Sequence, residues 1–431
     1  MNPIHSSLAR KRRLARDARV AEYAAADACD AVAEQLARFN RCWEQMQKYV
    51  PYYAKLVDQK KAPRQFDGWS QFLEALPVAD RKFVHENLPS LSDCTRPPDT
   101  FRTTGGSTAE PVSLPSWRWE TGETERNEWI GRSWYGIGPE DASFRLWGHS
   151  HLLGAGVEGW VSARKREIKD ALLGIERISA YDLSDRALTR AFAQLQTSPA
   201  TYLLGYSAAL DRFARVAGAT GLANKSELKA VIATSESFPR ADSCEVIEAA
   251  FNAPVAMEYG SVETGVIAHT RRDEGYHVFW LSYFIEATEP APQGGYKVRV
   301  TSLYPRAFPL VRYDLGDAIA LDAPCFGVRR FPEVMGRTNM FLEPEPGKPV
   351  HSEALSHAVK GIGAVTGYQM IQEGDSFTLF LTSPSGMAHE QTQEIRSRLA
   401  KISPRLGAAD IQVVDRLQQT RAGKTPMIIR R

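Results

Sequence analysis

The middle third of the chain repeatedly changes its apolar period, and this limits the fold more than any other feature. In GYSAALDRFARVAGATG, Leu210, Phe213, Val216 and Ala217 recur at helical spacing, and the run closes on Gly218 and Gly221. The short apolar run KAVIAT follows, then the helical SCEVIEAAF, then APVAMEYG. Helices and strands alternating at such short intervals can bury their apolar surfaces only against each other. The pattern therefore predicts an α/β core, with helices layered on a sheet whose strands end in functional loops. Downstream, HVFWLSYFIEAT, GYKVRVTSLY and FPLVRYDLGDAIAL read as consecutive strands, so part of the sheet is expected to be antiparallel.

The flanks read differently. From Ser7 to about Lys48 the chain is rich in Ala, Arg, Glu, Leu and Gln and lacks Pro and Gly, which favours helix. Arg10, Lys11, Arg12, Arg13, Arg16 and Arg19 read as a solvated face of that helix rather than a nucleic-acid patch. With 53 basic and 51 acidic side chains, a formal charge of +2, no global field draws the chain to nucleic acid or anionic lipid. Pro51 ends the helical stretch, and FDGWSQFLEALPVADRKFVHENL reads as short helices broken at Pro77 and Pro89. Near the other end, GYQMIQEGDSFTLFLTS reads as a hairpin turning at Gly374-Asp375. The helix after it carries Ile395, Leu399 and Ile402 on one face. The expected organisation is a large N-terminal domain over 1–335, with mixed sheets and helices, and a small α+β domain over 336–431.

Cys29, Cys42, Cys94, Cys244 and Cys325 form no C-x-x-C pair and have no histidine at metal spacing, so neither a disulfide framework nor a zinc site is expected. The N-terminus lacks an apolar segment after its basic residues, and no stretch reaches the roughly 18 apolar residues of a membrane helix. A cytoplasmic protein that neither spans nor binds a membrane is expected.

The candidate chemistry begins with RTTGGSTAEP. Thr104, Gly105, Gly106, Ser107 and Thr108 supply hydroxyls and a backbone that a ligand can approach closely, which suits a loop around phosphate oxygens. It is not a Walker A loop, since no lysine follows the glycines. A flexible turn is the competing reading of these residues. Further motifs follow in order: TSE at Thr234 to Glu236, YGSVETG at Tyr259 to Gly265, RYDLGD at Arg312 to Asp317, Gly336-Arg337 and Gly423-Lys424.

In that order the motifs resemble the adenylate-forming superfamily of acyl- and aryl-CoA ligases, and more narrowly its phenylacetate–CoA ligase and capsule-biosynthesis branch. WEQMQKYVPYY and FLEALPVADR, ahead of the phosphate loop, extend the resemblance over nearly the whole chain. The resemblance implies two half-reactions, in which a carboxylate attacks the α-phosphate of ATP and expels pyrophosphate, and an acceptor then displaces AMP. It implies Glu263 as the Mg²⁺ ligand and Lys424 as the catalytic cation reaching in from the C-terminal domain. By the same likeness Tyr259 lies on the adenine face with Gly260 and Ser261 beside it, Glu236 sits against adenine, Asp317 binds the ribose, and Arg337 contacts the ribose or phosphate side. Two positions depart from the family pattern: Ala109 stands where relatives carry glycine, and Asn339 stands where many carry an acidic hinge residue.

The acyl pocket is expected between the phosphate loop and YGSVETG, lined by Trp147, His149, His151, Tyr206 and Ser207. Aromatic walls suit a flat acid. The leading expectation is thus an ATP- and Mg²⁺-dependent ligase that activates a small aromatic carboxylic acid, or another oxyanion of suitable size. The acceptor is a separate molecule, whether CoA, a carrier protein or an amine. Two other readings stand beside it: a nucleotide-binding module of the same fold without turnover, and a transferase of polysaccharide synthesis.

Overall fold

A computed structural model describes residues 3–26, 30–103, 113–148, 156–180, 182–221, 224–235, 238, 242–291, 295–335, 341–345, 348–359, 362, 365, 367–383, 386–418 and 427–430. The glycine- and threonine-rich loop at 104–108, His149, His151, Glu236, Arg337 and Lys424 lie outside them, as do Ala109 and Asn339.

The N-terminal stretch forms two helices, α1 (Pro3–Ala26) and α2 (Ala31–Tyr49). Asp30 starts the second by accepting hydrogen bonds from the Val32 and Ala33 amides. Phe39, Cys42, Trp43 and Met46, three or four residues apart, form the buried face of α2. Pro51 opens α3 (Pro51–Asp58), where its missing N–H costs nothing. The short helices α4 (Trp69–Ala75) and α5 (Arg81–Asn87) follow as the prolines predict. Phe39, Trp43, Phe66 and Phe72 pack as tilted and edge-on rings. Trp69 stacks on Phe284 at 3.5 Å, joining these helices to a sheet.

The cations of α1 are not uniformly solvated. Arg19 is only 4% exposed and pairs with the buried Glu123, while Arg12 pairs with Glu125. Both acids belong to α6 (Arg118–Ser133), which follows the antiparallel ladder of β1 (Thr100–Thr103) and β2 (Ser113–Ser116). The solvated-face expectation fails at these two residues because α1 docks on another helix that supplies complementary carboxylates.

From here the elements alternate, the last four as the periods predict: β3 (Ser143–Trp147), α7 (Gly156–Leu172), β4 (Ile175–Ser179), α8 (Asp185–Leu195), β5 (Tyr202–Tyr206), α9 (Ser207–Ala219), β6 (Ala230–Thr234), α10 (Ser243–Phe251) and β7 (Val255–Ser261). The strands β4, β3, β5, β6 and β7 lie side by side in parallel. One face carries Phe144, Leu146, Leu203 and Val231 into the core shared with α8, α9 and α10. The other carries Tyr202, Leu204 and Ile232 against Trp129 of α6. Every residue of β5 is buried, as expected for a parallel strand covered on both faces.

The sheet then turns antiparallel through β8 (Gly265–Arg271) and β9 (Gly275–Val278). HVFWLSYFIEAT is not one strand. It breaks at Phe279–Ser282, and β10 (Tyr283–Ala287) starts a second sheet with β11 (Tyr296–Ser302), β12 (Tyr313–Ile319) and β13 (Cys325–Phe326). The strand β14 (Arg330–Phe331) returns to pair with β9.

The C-terminal segment holds β15 (Phe341–Glu345) and β16 (Lys348–His351), α11 (Ser352–Val359), β17 (Gly367–Glu373), β18 (Ser376–Thr382), α12 (His389–Ile402), α13 (Pro404–Gly407), β19 (Asp410–Val413) and β20 (Ile428–Arg430). The hairpin at Gly374-Asp375 is β17–β18, with β19 and β20 adding in parallel on its two edges. Ile395 and Leu399 face that sheet's core, and Ile402 is partly buried beside them. Among the described residues no helix is long and apolar enough to cross a membrane.

Two glycines of α6 test this packing. A Cβ on Gly122 would meet nothing within 4 Å, whereas one on Gly131 would lie 2.4 Å from the buried ring of His269. Gly122→Ala is expected to stabilise by roughly 0.5–1 kcal/mol through helix propensity. Gly131→Ala is expected to destabilise by about 1–3 kcal/mol through overpacking. Urea unfolding of the two variants should move the midpoint in opposite directions.

Candidate active site

The parallel ladder sets Tyr206 and Thr234, the last residues of β5 and β6, in line with Glu258 in the middle of β7. Tyr206 ends β5 in extended backbone, and the next residue, the buried Ser207, begins α9. After Thr234 the chain turns at Ser235 with φ +73°, a left-handed conformation that a serine adopts at a cost of order 1 kcal/mol. The Thr234–Ser235 step is thus a sharp strand exit.

YGSVETG is the β7–β8 hairpin. A Cβ on Gly260 would fall 2.0 Å from the carbonyl oxygen of Gly265, so these two backbones touch only because residue 260 is glycine. Gly265, at φ +72°, packs on Thr124 of α6. The turn between them is fixed from within: the Ser261 amide donates to Thr264 Oγ1 at 3.0 Å and the Thr264 amide to Ser261 Oγ at 3.3 Å. It is also fixed from outside, because Tyr283 Oη donates to the Thr264 carbonyl at 2.7 Å. Arg306 Nη2 donates to the Glu263 carbonyl at 2.6 Å while its Nε pairs with Glu120 at 3.2 Å.

Glu263 sits at the tip of this turn, 7% exposed, its Oε1 accepting from Tyr313 Oη at 3.2 Å. One hydrogen bond leaves most of the acceptor capacity of an ionised carboxylate for a ligand. Among the described residues no group of three or more His, Cys, Asp or Glu side chains could hold a metal ion. A hard divalent cation on Glu263 would complete its shell with oxygens from a bound ligand and water, as Mg²⁺ commonly does.

Tyr259 is 8% exposed, with Tyr276 and Phe331 packed edge-on around its ring. Its Oη donates to Asp317 Oδ2 at 3.3 Å. Asp317 lies four residues beyond Tyr313 on β12, so this strand contacts both Glu263 and Tyr259. The arginine of RYDLGD has a structural part. Arg312, at φ +47°, clamps Glu286 and the carbonyls of Leu73 and Leu76. Arg306 and Glu120 were missed as supporting residues, since nothing in their local sequence marks them, and Tyr313 was passed over within RYDLGD in favour of Asp317.

Beside these strands a cavity of about 980 Å³ runs along the α6 face of β3, β4 and β5. Trp147 and Tyr206 both line it, with ring centroids 4.7 Å apart. Ser207 is not among its walls. The rest of the lining is strongly charged, which the expected aromatic pocket did not include. Arg132 is buried and joins Glu258 at 2.8 Å and Glu128 at 3.3 Å. Burial pushes the Glu128 carboxyl up to about 7 against the pull of Arg132, with Glu258 and Glu125 adding to the rise.

No family profile matches this chain, and no curated protein matches it in sequence. Solved structures do match. A 2-hydroxyisobutyryl-CoA ligase in an open conformation, in complex with 2-HIB-AMP and CoA, is 18% identical with a TM-score of 0.54 over 92% of this chain and 90% of that one. The same ligase in its thioesterification state is 16% identical with a TM-score of 0.57, covering 93% and 89%. The chain therefore has the fold of an adenylate-forming CoA ligase.

Glu128 generates a pH prediction. Its folded-state pKa is raised, so the folded state takes up its proton more readily than the unfolded chain, and it penalises folding where it must ionise. The penalty is absent below the ordinary carboxylate range, grows as pH rises toward 7, and is complete above that. Glu128→Gln should abolish this fall, so the gap in urea midpoint between variant and parent should widen in the variant's favour from pH 5 to pH 8. A constant gap would refute the assignment.

Proposed function

We propose that this chain is an ATP-dependent ligase that activates a small carboxylic acid as its adenylate and passes the acyl group to a separate acceptor. The observation that carries the reading is the end-to-end likeness of fold to a ligase holding an acyl-adenylate and CoA. Among the described residues, Thr234 ends β6 and YGSVETG forms the β7–β8 turn, and ligands of open α/β sheets bind at such strand ends.

In the first half-reaction a carboxylate oxygen attacks the α-phosphorus, a P–O bond forms, and the bond to the β-phosphate breaks to release pyrophosphate. In the second the acceptor's nucleophile attacks the acyl carbon, and AMP leaves with the bridging oxygen. The thiol of CoA is the acceptor suggested by the likeness. Mg²⁺, when bound, would neutralise charge on the phosphate oxygens.

The chain's own residues supply the rest. Asp317 accepts hydrogen bonds from the two vicinal ribose hydroxyls, with Tyr259 Oη already fixing one carboxylate oxygen. Tyr259, Gly260, Ser261 and Glu236 border the adenine, and Thr104 to Thr108 wrap the phosphates. Arg337 takes the ribose or phosphate side. Glu263 is the carboxylate offered to the metal, held in place by Tyr313 and by the Arg306 clamp on its backbone. Lys424 brings an ammonium to the α-phosphate as negative charge develops there. We assign the first domain to residues 1–335 and the lysine-bearing one to 336–431.

Lys424→Ala is expected to slow ATP–pyrophosphate exchange by roughly 100- to 1,000-fold, the effect of removing one preorganised donor to a developing oxyanion. Asp317→Ala is expected to raise the KM for ATP by about tenfold with a smaller loss of kcat, since it removes binding made equally in ground and transition states. Exchange within a few-fold of the parent in Lys424→Ala would overturn the catalytic assignment. ATP binding without pyrophosphate release over a broad acid panel would overturn the proposed activity.

A further inference from the structure

The cavity beside β3 holds more positive charge than its own acids neutralise. Four carboxylates line it, and each has a cation. Glu125 pairs with Arg12 and Glu128 with Arg132, Asp170 takes Arg177 at 2.8 Å, and Asp141 takes Lys229 at 2.7 Å. Arg145, Lys165 and Lys169 also line it, and none has a carboxylate partner among the described residues.

Arg145 is the most telling of the three. It lies directly across the parallel ladder from Arg177, and like charges in register on neighbouring strands repel. Its Nε donates to Ser143 Oγ at 2.8 Å, and it also hydrogen-bonds the Tyr202 side chain; neither partner is a carboxylate. Burial depresses its pKa, Tyr202 offsets part of that, and the nearby Arg132 and Arg177 depress it further. A guanidinium on the inner face of a sheet, opposite a second guanidinium and short of an anion, is a site whose counter-charge comes from a ligand.

The position of Arg145 says which part of a ligand reaches it. Arg145 and Trp147 are two residues apart on β3 and so share a face, with Arg145 roughly 7 Å farther from the carboxyl ends of the strands. Trp147 and Tyr206 lie between it and those ends, and both rings belong to the same cavity. A molecule entering from the strand ends meets the aromatic pair first and the cation second.

We propose that the activated acid is a dianion, with its reacting carboxylate at the strand ends, its body against Trp147 and Tyr206, and a second anionic group on Arg145, assisted by Lys165 and Lys169. The inference rests on the ligase reading for the fate of the first carboxylate, but the binding it requires does not depend on turnover. The second group is a carboxylate, sulfonate or phosphate; the shared requirement is a compact anion able to take the guanidinium's paired donors.

The test is calorimetric binding to the full chain, without ATP, of acid pairs that differ only in the distal charge: terephthalate against 4-methylbenzoate, and adipate against hexanoate. In at least one pair the dianion should bind about tenfold more tightly or better, as expected for a charge-assisted hydrogen bond in a partly desolvated site. Arg145→Gln should reduce that preference to within about twofold, and Arg145→Lys should keep part of it. Lys165→Gln with Lys169→Gln, at exposed positions that do not endanger folding, should reduce it by a smaller factor. No preference in either pair, including no binding of any of the four acids, would overturn the proposal, and so would a preference that survives in a folded Arg145→Gln protein. Pyrophosphate release with ATP and Mg²⁺ then separates the two readings. Release with monoacids and no dianion preference keeps the ligase and sinks this site. Dianion binding dependent on Arg145, with no release, keeps the site and sinks the ligase.

Discussion

The backbone contact between Gly260 and Gly265 is the constraint on which the candidate site depends. With the carbonyl of Gly265 2.0 Å from where a side chain at 260 would begin, any other residue would drive β7 and β8 apart. Their register also shifts between Tyr259 and Gly260. The shift turns the hairpin tip toward the second sheet, where Tyr313 meets Glu263 and Asp317 meets Tyr259. One contact joins the turn of the first sheet, and the other its strand β7, to β12 of the second. The hairpin therefore orients the carboxylate at its tip and ties the two sheets together, and neither role survives without the close approach.

The support continues inward from the tip. Arg306 bridges the Glu263 carbonyl and Glu120, and Glu120 also accepts from the Trp117 and Ala307 amides. One fully buried acid thus closes the start of α6, the loop carrying Arg306 and, through the arginine, the turn. Such a chain holds a side chain near one geometry, which a group that must meet a ligand requires. It is costly to break, because removing either member leaves a charge buried without its partner.

The architecture was legible where one element determined its own pattern. The helical face of α9, the apolar runs of β6 and β7 and the turn at Gly374 all follow from residues within a few positions of each other. Reading failed where a distant element intervened. HVFWLSYFIEAT has the composition of one long strand, yet it feeds two sheets, because the chain leaves the first at Phe279 to begin the second at Tyr283. Arg19 looked solvated because Glu123 lies 104 residues away, and Glu120 gave no sign of Arg306 at a separation of 186. At the site, the order of short motifs marked the hairpin and the exit after Thr234, which are local turns with glycine and hydroxyl signatures. The tyrosine that holds Glu263 comes from the second sheet, inside a motif marked for its aspartate, and the arginine comes from the loop before β12 and has no such signature.

Charge on the inner face of the parallel strands follows a different logic from charge on the surface. An exposed arginine is solvated, so its lack of a partner says nothing. A guanidinium drawn out of water keeps its charge and must be compensated. Arg132 and Arg177 are compensated by carboxylates of the same fold, Arg132 by Glu258 and Glu128 and Arg177 by Asp170. Arg145, between them in the same cavity, is met by the Ser143 hydroxyl and the Tyr202 side chain and by no carboxylate among the described residues. Folding by itself gains nothing from that arrangement, since an apolar residue would sit opposite Arg177 at lower cost. The excess charge is therefore better understood as a property of the ligand-bound state, in which an anion supplies what the fold leaves out, and the cavity's aromatic wall lies where the rest of that ligand has to pass.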